Sequence, residues 1–232
     1  MFHRRLDMTK EKRTFSRRYA NEYHVFRWWL HLFAMFVCYP YFRWSYNLKI
    51  EGKENIPKGS HFIVCGNHVS MFDPLFVTIA FFKRIAYMAK KELFADDCKL
   101  NWWIKRLGAF SVDREKPEIA TFKTVKDVFT TNWALGIFPE GHINQTHTIS
   151  NIQRGFTVVA KKAKSDIVPV AICNFKGYTK KFHAQDVVIK IGKPISYELP
   201  SEEIIAKWAE FICENTGYEN GVKDKVLVSD KT

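Results

Sequence analysis

From Lys49 onward the chain alternates between two kinds of segment, and this alternation restricts the fold more than any other feature. Short apolar runs occur at His61–Cys65, Ile85–Met88, Ala109–Val112, Ala134–Phe138, Ile167–Ile172 and Val187–Ile191. Runs of this length bounded by polar residues read as buried strands. Between them, Pro74–Phe82, Leu100–Leu107, Pro117–Thr131 and Gly155–Ala163 read as helices. Proline suits the first turn of a helix, and Ile119, Phe122, Val125 and Phe129 fall on one helical face. Ser201 is expected to cap a last helix with Ile204, Ile205, Trp208 and Ile212 on one side. Strands alternating with helices imply an α/β fold, with a mainly parallel central sheet covered by helices on both faces. At 232 residues the chain suffices for one such core. We place this domain at 47–217 and expect a mobile polar tail over 218–232.

Residues 1–46 have a different character. A basic arm with Arg4, Arg5, Lys10, Lys12, Arg13, Arg17 and Arg18 precedes an aromatic-rich segment. The run from Trp28 to Phe42 lacks Asp, Glu, Lys and Arg but is only 15 residues long. A spanning helix needs roughly 20. Trp28, Trp29, Tyr39, Tyr41 and Trp44 are of the types that settle at a membrane–water interface, and Arg27 and Arg43 flank the run. The segment reads as an amphipathic helix lying monotopically in one leaflet, against the alternatives of a helix packed on the core or a single span. The formal charge, 36 basic against 24 acidic residues, is +12 and calls for an anionic partner. An anionic membrane surface fits. Nucleic acid does not, because the aromatics gather in an apolar run and not among the basic side chains. Five dispersed cysteines give no disulfide framework or zinc pattern, which suits the cytoplasmic face and no metal.

Four short segments carry chemistry. In Asn67-His68-Val69-Ser70-Met71-Phe72-Asp73 the histidine and aspartate are five apart, wrong for one helix face but right for a strand-to-helix turn. A carboxylate at the start of the helix opened by Pro74 is stabilised by free N–H groups and the dipole, so Asp73 should stay ionised and orient His68 as a base. The plainer reading is a turn histidine beside a helix cap. Arg114 ends the strand after Gly108 and suits phosphate binding, or pairs with Asp113 or Glu115. In Phe138-Pro139-Glu140-Gly141, Glu140 is placed to accept from a substrate hydroxyl and Gly141 allows close backbone approach, unless this is a plain turn. Val168-Pro169-Val170-Ala171-Ile172 borders an acyl-chain site or fills core.

Taken in this order, the four segments resemble the glycerolipid acyltransferase family, and within it the enzymes acting on 1-acyl-sn-glycerol 3-phosphate. They match that family's Asn-His-x4-Asp, Gly-x5-Arg, Phe-Pro-Glu-Gly and Val-Pro-Val-Ala-Ile blocks, and Ala89-Lys90-Lys91-Glu92-Leu93 resembles a segment between the first two. The resemblance covers residues 50–195. It implies that His68 is the general base and Asp73 its partner. It also implies that Arg114 holds the acceptor phosphate and that Glu140 and Gly141 help bind the acceptor. Lys91 is a further candidate for the phosphate. The acceptor would be membrane-embedded lysophosphatidate, the donor acyl-coenzyme A or acyl-carrier protein, with no cofactor. One departure leaves the acceptor open to another lysophospholipid, an aminolipid or glycerol 3-phosphate. The family usually continues with Thr-Arg-Ser, but here Gly141 is followed by His142-Ile143-Asn144. Arg154 is a candidate substitute for the missing arginine, and His142 reads as a binding-loop residue more readily than as a second acid or base.

Overall fold

The strands form where successive side chains point into two different apolar layers. The computed structural model describes residues 18–23, 25–94, 101–112, 119–179, 181–183 and 185–222. The strands are β1 Lys49–Glu51, β2 Ile63–Gly66, β3 Ile85–Lys90, β4 Phe110–Val112, β5 Ala134–Ile137, β6 Thr148–Ile149, β7 Ile167–Cys173, β8 Val188–Ile191 and β9 Glu219–Asn220. The helices are α1 Val25–Ser45, α2 Asp73–Phe81, α3 Asn101–Arg106, α4 Ile119–Phe129, α5 Gly155–Ala163 and α6 Ser201–Thr216. Seven strands make the main sheet in the order β1-β8-β7-β2-β5-β3-β4. All its pairings are parallel except β7 with β8. On one face Ile63, Cys65, Leu135 and Ala171 meet α4, α5 and α6; on the other Val64, Val168, Val170 and Ile172 meet α2. Strands covered on both faces explain the continuous apolar runs.

The outline expected from the sequence holds, with differences at the ends of elements. Ser201 is the first residue of α6 and not its cap; Pro200 precedes it in an extended conformation without a side-chain cap bond. Glu219–Asn220 pair with Thr148–Ile149, so the expected mobile tail is held on the fold to this point, and 223–232 lie outside the described residues. β1 has only Ile50 between two charged residues and lies at the sheet edge, which is why it was not expected. Ile167–Cys173 is buried throughout and fills the core.

The aromatic segment is helical, but it is not amphipathic in the expected sense. Met35 and Phe42 are buried on one side of α1, and the Phe42 ring lies 4.5 Å from that of Phe76 on α2. Trp29, Phe33, Phe36, Val37 and Trp44 recur at helical spacing on the opposite side and are exposed, Phe36 at 71%. Both faces are therefore apolar, one against the core and one pointing outward. Among the described residues no helix is long and apolar enough to cross a membrane.

Candidate active site

Parallel strands bring their carboxyl ends to one edge, and the turns leaving that edge are where α/β folds place their sites. Here the turn after β2 carries His68 and Asp73, the turn after β5 carries Glu140 and Gly141, and Lys91 follows β3 directly. Asn67 fixes where β2 stops. Its buried side chain donates from Nδ2 to Ile172 O at 3.1 Å, and Oδ1 accepts from Ile172 N–H at 2.7 Å. The side chain completes the ladder to β7, and the chain turns off at His68.

Asp73 is the first residue of α2, and its carboxylate turns back over the preceding loop without capping the helix. One oxygen, Oδ2, lies 2.7 Å from His68 Nδ1 and accepts from the backbone N–H groups of Val69 at 2.7 Å and Ser70 at 2.8 Å. The N-cap position falls on Phe72, with no side-chain cap bond. This corrects the expected source of stabilisation, which comes from the loop's N–H groups. The buried Oδ1 accepts no hydrogen bond from the described residues. Burial pushes the Asp73 carboxyl above the usual range, while His68 and the two N–H groups pull it back down. An oxygen already taking two N–H donors receives the third proton from Nδ1, so His68 carries its proton on Nδ1 and leaves Nε2 to accept. The His68 side chain is 19% exposed.

The imidazole is held from its face as well. It stacks on Phe138 at 4.5 Å between centroids, and Phe138 stacks on Tyr87 at 5.8 Å. The Tyr87 hydroxyl donates to Pro74 O at 2.9 Å, next to Asp73, and burial pushes its pKa well up. Gly136 makes room for this stack, since a Cβ there would meet Tyr87 Cδ1 at 2.4 Å. The buried Tyr87 was not anticipated; its only signal was a hydroxyl-bearing ring inside an apolar run.

Glu140 has a different surrounding from the one anticipated. It is 3% exposed, and both carboxylate oxygens are engaged. Oε1 accepts from His68 N–H at 2.9 Å, and Oε2 accepts from Asn144 Nδ2. Asn144 N–H in turn donates to His68 O at 2.6 Å. Glu140, Asn144 and the His68 backbone thus form a closed ring that fixes the 68–73 turn, and each Glu140 oxygen already has one internal partner. Burial raises the Glu140 pKa, with His68 N–H and Asn144 acting against it. Gly141 has φ +73°, a left-handed conformation that glycine adopts freely, and its N–H closes the turn on Phe138 O at 3.0 Å. Asn144 was noted in the sequence only as a departure; its role in the ring depends on a fold that no spacing reveals.

The other candidates separate. His142 is exposed and its Nδ1 lies 2.8 Å from the Glu140 carbonyl oxygen. Arg154 is not brought to the dyad; its Nη1 pairs with Glu202 Oε1 at 2.9 Å on the exposed surface. Lys91 is exposed at the same sheet edge. Arg114 lies outside the described residues. Beside Phe138, Pro139 and Gly141 opens a cavity of about 230 Å³ lined mainly by apolar side chains, including Met88, Val112, Phe122, Ile137 and Val159. No group of three His, Cys, Asp or Glu side chains that could hold a metal occurs among the described residues.

Comparison with known proteins identifies the family and the fold. The family described as "Acyltransferase" matches residues 47–173. A 1-acyl-sn-glycerol-3-phosphate acyltransferase of Bacillus subtilis is 30% identical over 168 residues, 70% of this chain and 83% of that protein. A protein of the same name from Borreliella burgdorferi is 28% identical over 190 residues, 80% of this chain and 74% of its own length. The crystal structure of the 1-acyl-sn-glycerophosphate acyltransferase PlsC from Thermotoga maritima superposes with a TM-score of 0.57 at 24% identity, covering 78% of this chain and 72% of that one, and shares the fold.

Proposed function

The chain belongs to the acyltransferase family, and from that premise we propose that it moves a fatty acyl group from an acyl thioester to the free hydroxyl of 1-acyl-sn-glycerol 3-phosphate, giving phosphatidic acid for phospholipid synthesis. The observation that carries the reading is the convergence of His68 Nδ1 and two backbone N–H groups on Asp73 Oδ2, which leaves Nε2 as a base at a partly open site. The relatives named above supply the acceptor by similarity.

In this mechanism Nε2 takes the proton of the acceptor hydroxyl as its oxygen attacks the thioester carbonyl carbon. Asp73 stabilises the imidazolium that forms. The C–S bond then breaks, and the leaving thiolate takes the proton back from Nε2. No acyl-enzyme forms and no cofactor takes part. The donor is acyl-coenzyme A or acyl-carrier protein. The apolar cavity beside Phe138 and Gly141 receives an acyl chain. Arg114, which follows β4 in the sequence, is assigned the acceptor phosphate, and Lys91 is a further candidate for it. The outward aromatic face of α1 lies in the membrane interface on the cytoplasmic side, so that the lipid acceptor enters laterally.

The test is His68→Ala. Removing the base should lower kcat by about 10²–10⁴-fold while the melting curve and vesicle binding are kept. Unchanged turnover would remove His68 from the reaction.

A further inference from the structure

The connection between β7 and β8 leaves the sheet at the same edge as His68, because β7 is parallel to β2 and β8 runs back against it. It exposes two large rings, Tyr178 at 58% and Phe182 at 68%, with Lys176 and Lys181 exposed between and beside them. Neither lysine forms an ion pair among the described residues. The loop is pinned in this shape. Gln185 Oε1 accepts from Lys176 N–H at 2.7 Å, and its Nε2 donates to Gly177 O at 2.8 Å. His183 N–H donates to Trp44 O at 2.9 Å and Tyr41 Oη donates to Thr179 O at 3.2 Å, so the loop is continuous with the exposed aromatic end of α1. On its other side Tyr178 stacks on Phe72, within the 68–73 turn, at 6.1 Å between centroids.

We propose that this loop is a second membrane anchor, one that docks on an anionic phospholipid surface and seats the catalytic turn against the leaflet. The inference rests on the membrane reading of α1 given above and adds a contact to it. Two features select the partner. Tyrosine sits at the headgroup level, and an exposed phenylalanine beside it buries apolar surface at the headgroup–acyl boundary. Unpaired lysines beside them are drawn to anionic headgroups, each contributing roughly a fivefold gain in partitioning. Continuity with Trp44 lets both anchors meet one plane, and the Tyr178–Phe72 stack carries the seating to the turn that holds His68 and Asp73.

The test is sedimentation of the full chain with phosphatidylcholine vesicles, with and without phosphatidylglycerol. Three variants are compared: Lys176→Ala with Lys181→Ala, Phe182→Ser, and Phe36→Ser on α1. The double lysine variant should bind phosphatidylglycerol-containing vesicles roughly twenty-five-fold more weakly and pure phosphatidylcholine like wild type. Phe182→Ser should weaken binding to both. Melting curves and turnover of a short-chain, water-soluble lysophosphatidate should stay at wild-type values for these loop variants, since none of the three residues touches the dyad. If both loop variants bind like wild type while Phe36→Ser detaches, the loop is no anchor and the membrane reading of α1 stands. If wild type binds neither vesicle, both fall.

Discussion

Replacing Asp73 by Asn changes the charge at the dyad while keeping its shape. Oδ2 accepts from three groups and donates to none, so the amide oxygen must take its place and the NH2 group must occupy the buried Oδ1 position, which has no hydrogen-bond partner among the described residues. An unmet buried donor costs about 1–3 kcal/mol of stability, offset in part because a buried charge is gone. The effect on rate is larger. With the charges 2.7 Å apart at the closest atoms and an effective dielectric near 20, the carboxylate stabilises the imidazolium by about 4–6 kcal/mol. At about 1.4 kcal/mol per tenfold, Asp73→Asn should lower kcat by about 10³–10⁴-fold. Thiol release from an acyl thioester with saturating lysophosphatidate reads the rate, and a melting curve establishes folding. A folded variant within tenfold of wild type would refute the coupling of Asp73 to an imidazolium.

Gly136→Ala drives a Cβ to 2.4 Å from Tyr87 Cδ1 and 2.8 Å from Ile85 Cγ2, so the Tyr87–Phe138–His68 stack must shift; thermal denaturation should show a loss of about 1–3 kcal/mol, with a lower kcat. Burial raises the Glu140 pKa, so above the ordinary carboxylate value, about 4, the folded state holds a proton that the unfolded chain releases. The stability this contributes is full below that value and is lost as pH rises through the folded one. In Tm measured from pH 4 to 7, the advantage of wild type over Glu140→Gln should therefore shrink; an advantage that grows would contradict the burial argument. Val158 lines the cavity and is 42% exposed, so Val158→Phe should narrow it with little effect on folding. The ratio of kcat/KM for long over short acyl donors should fall, and an unchanged ratio would place the acyl chain elsewhere.

Much of this arrangement was legible from residue order. The apolar runs marked every strand of the main sheet except β1, because strands buried on both faces need no polar alternation. β1 and the β6–β9 pair escaped notice because they are short and polar, as with Glu219–Asn220, and gain their place only through tertiary pairing. Five residues of separation suited a turn, but a turn histidine beside a helix cap would read the same, and only the resemblance of the four segments to a known family singled out the dyad. The task of Glu140 was not, since its partners Asn144 and the His68 backbone converge only when β2 and β5 lie side by side. Likewise the aromatic content of α1 was plain, but its division into a core face and an outward face required knowing where α2 packs.

The central claim is acyl transfer to lysophosphatidate, and product analysis tests it most directly. Purified full-length protein in detergent is given an acyl thioester and equal concentrations of lysophosphatidate, other lysophospholipids, a lyso-aminolipid and glycerol 3-phosphate, and the acylated products are measured by mass spectrometry. Phosphatidic acid should dominate and should be absent with His68→Ala. Clear preference for an acceptor without a free phosphate would contradict the account.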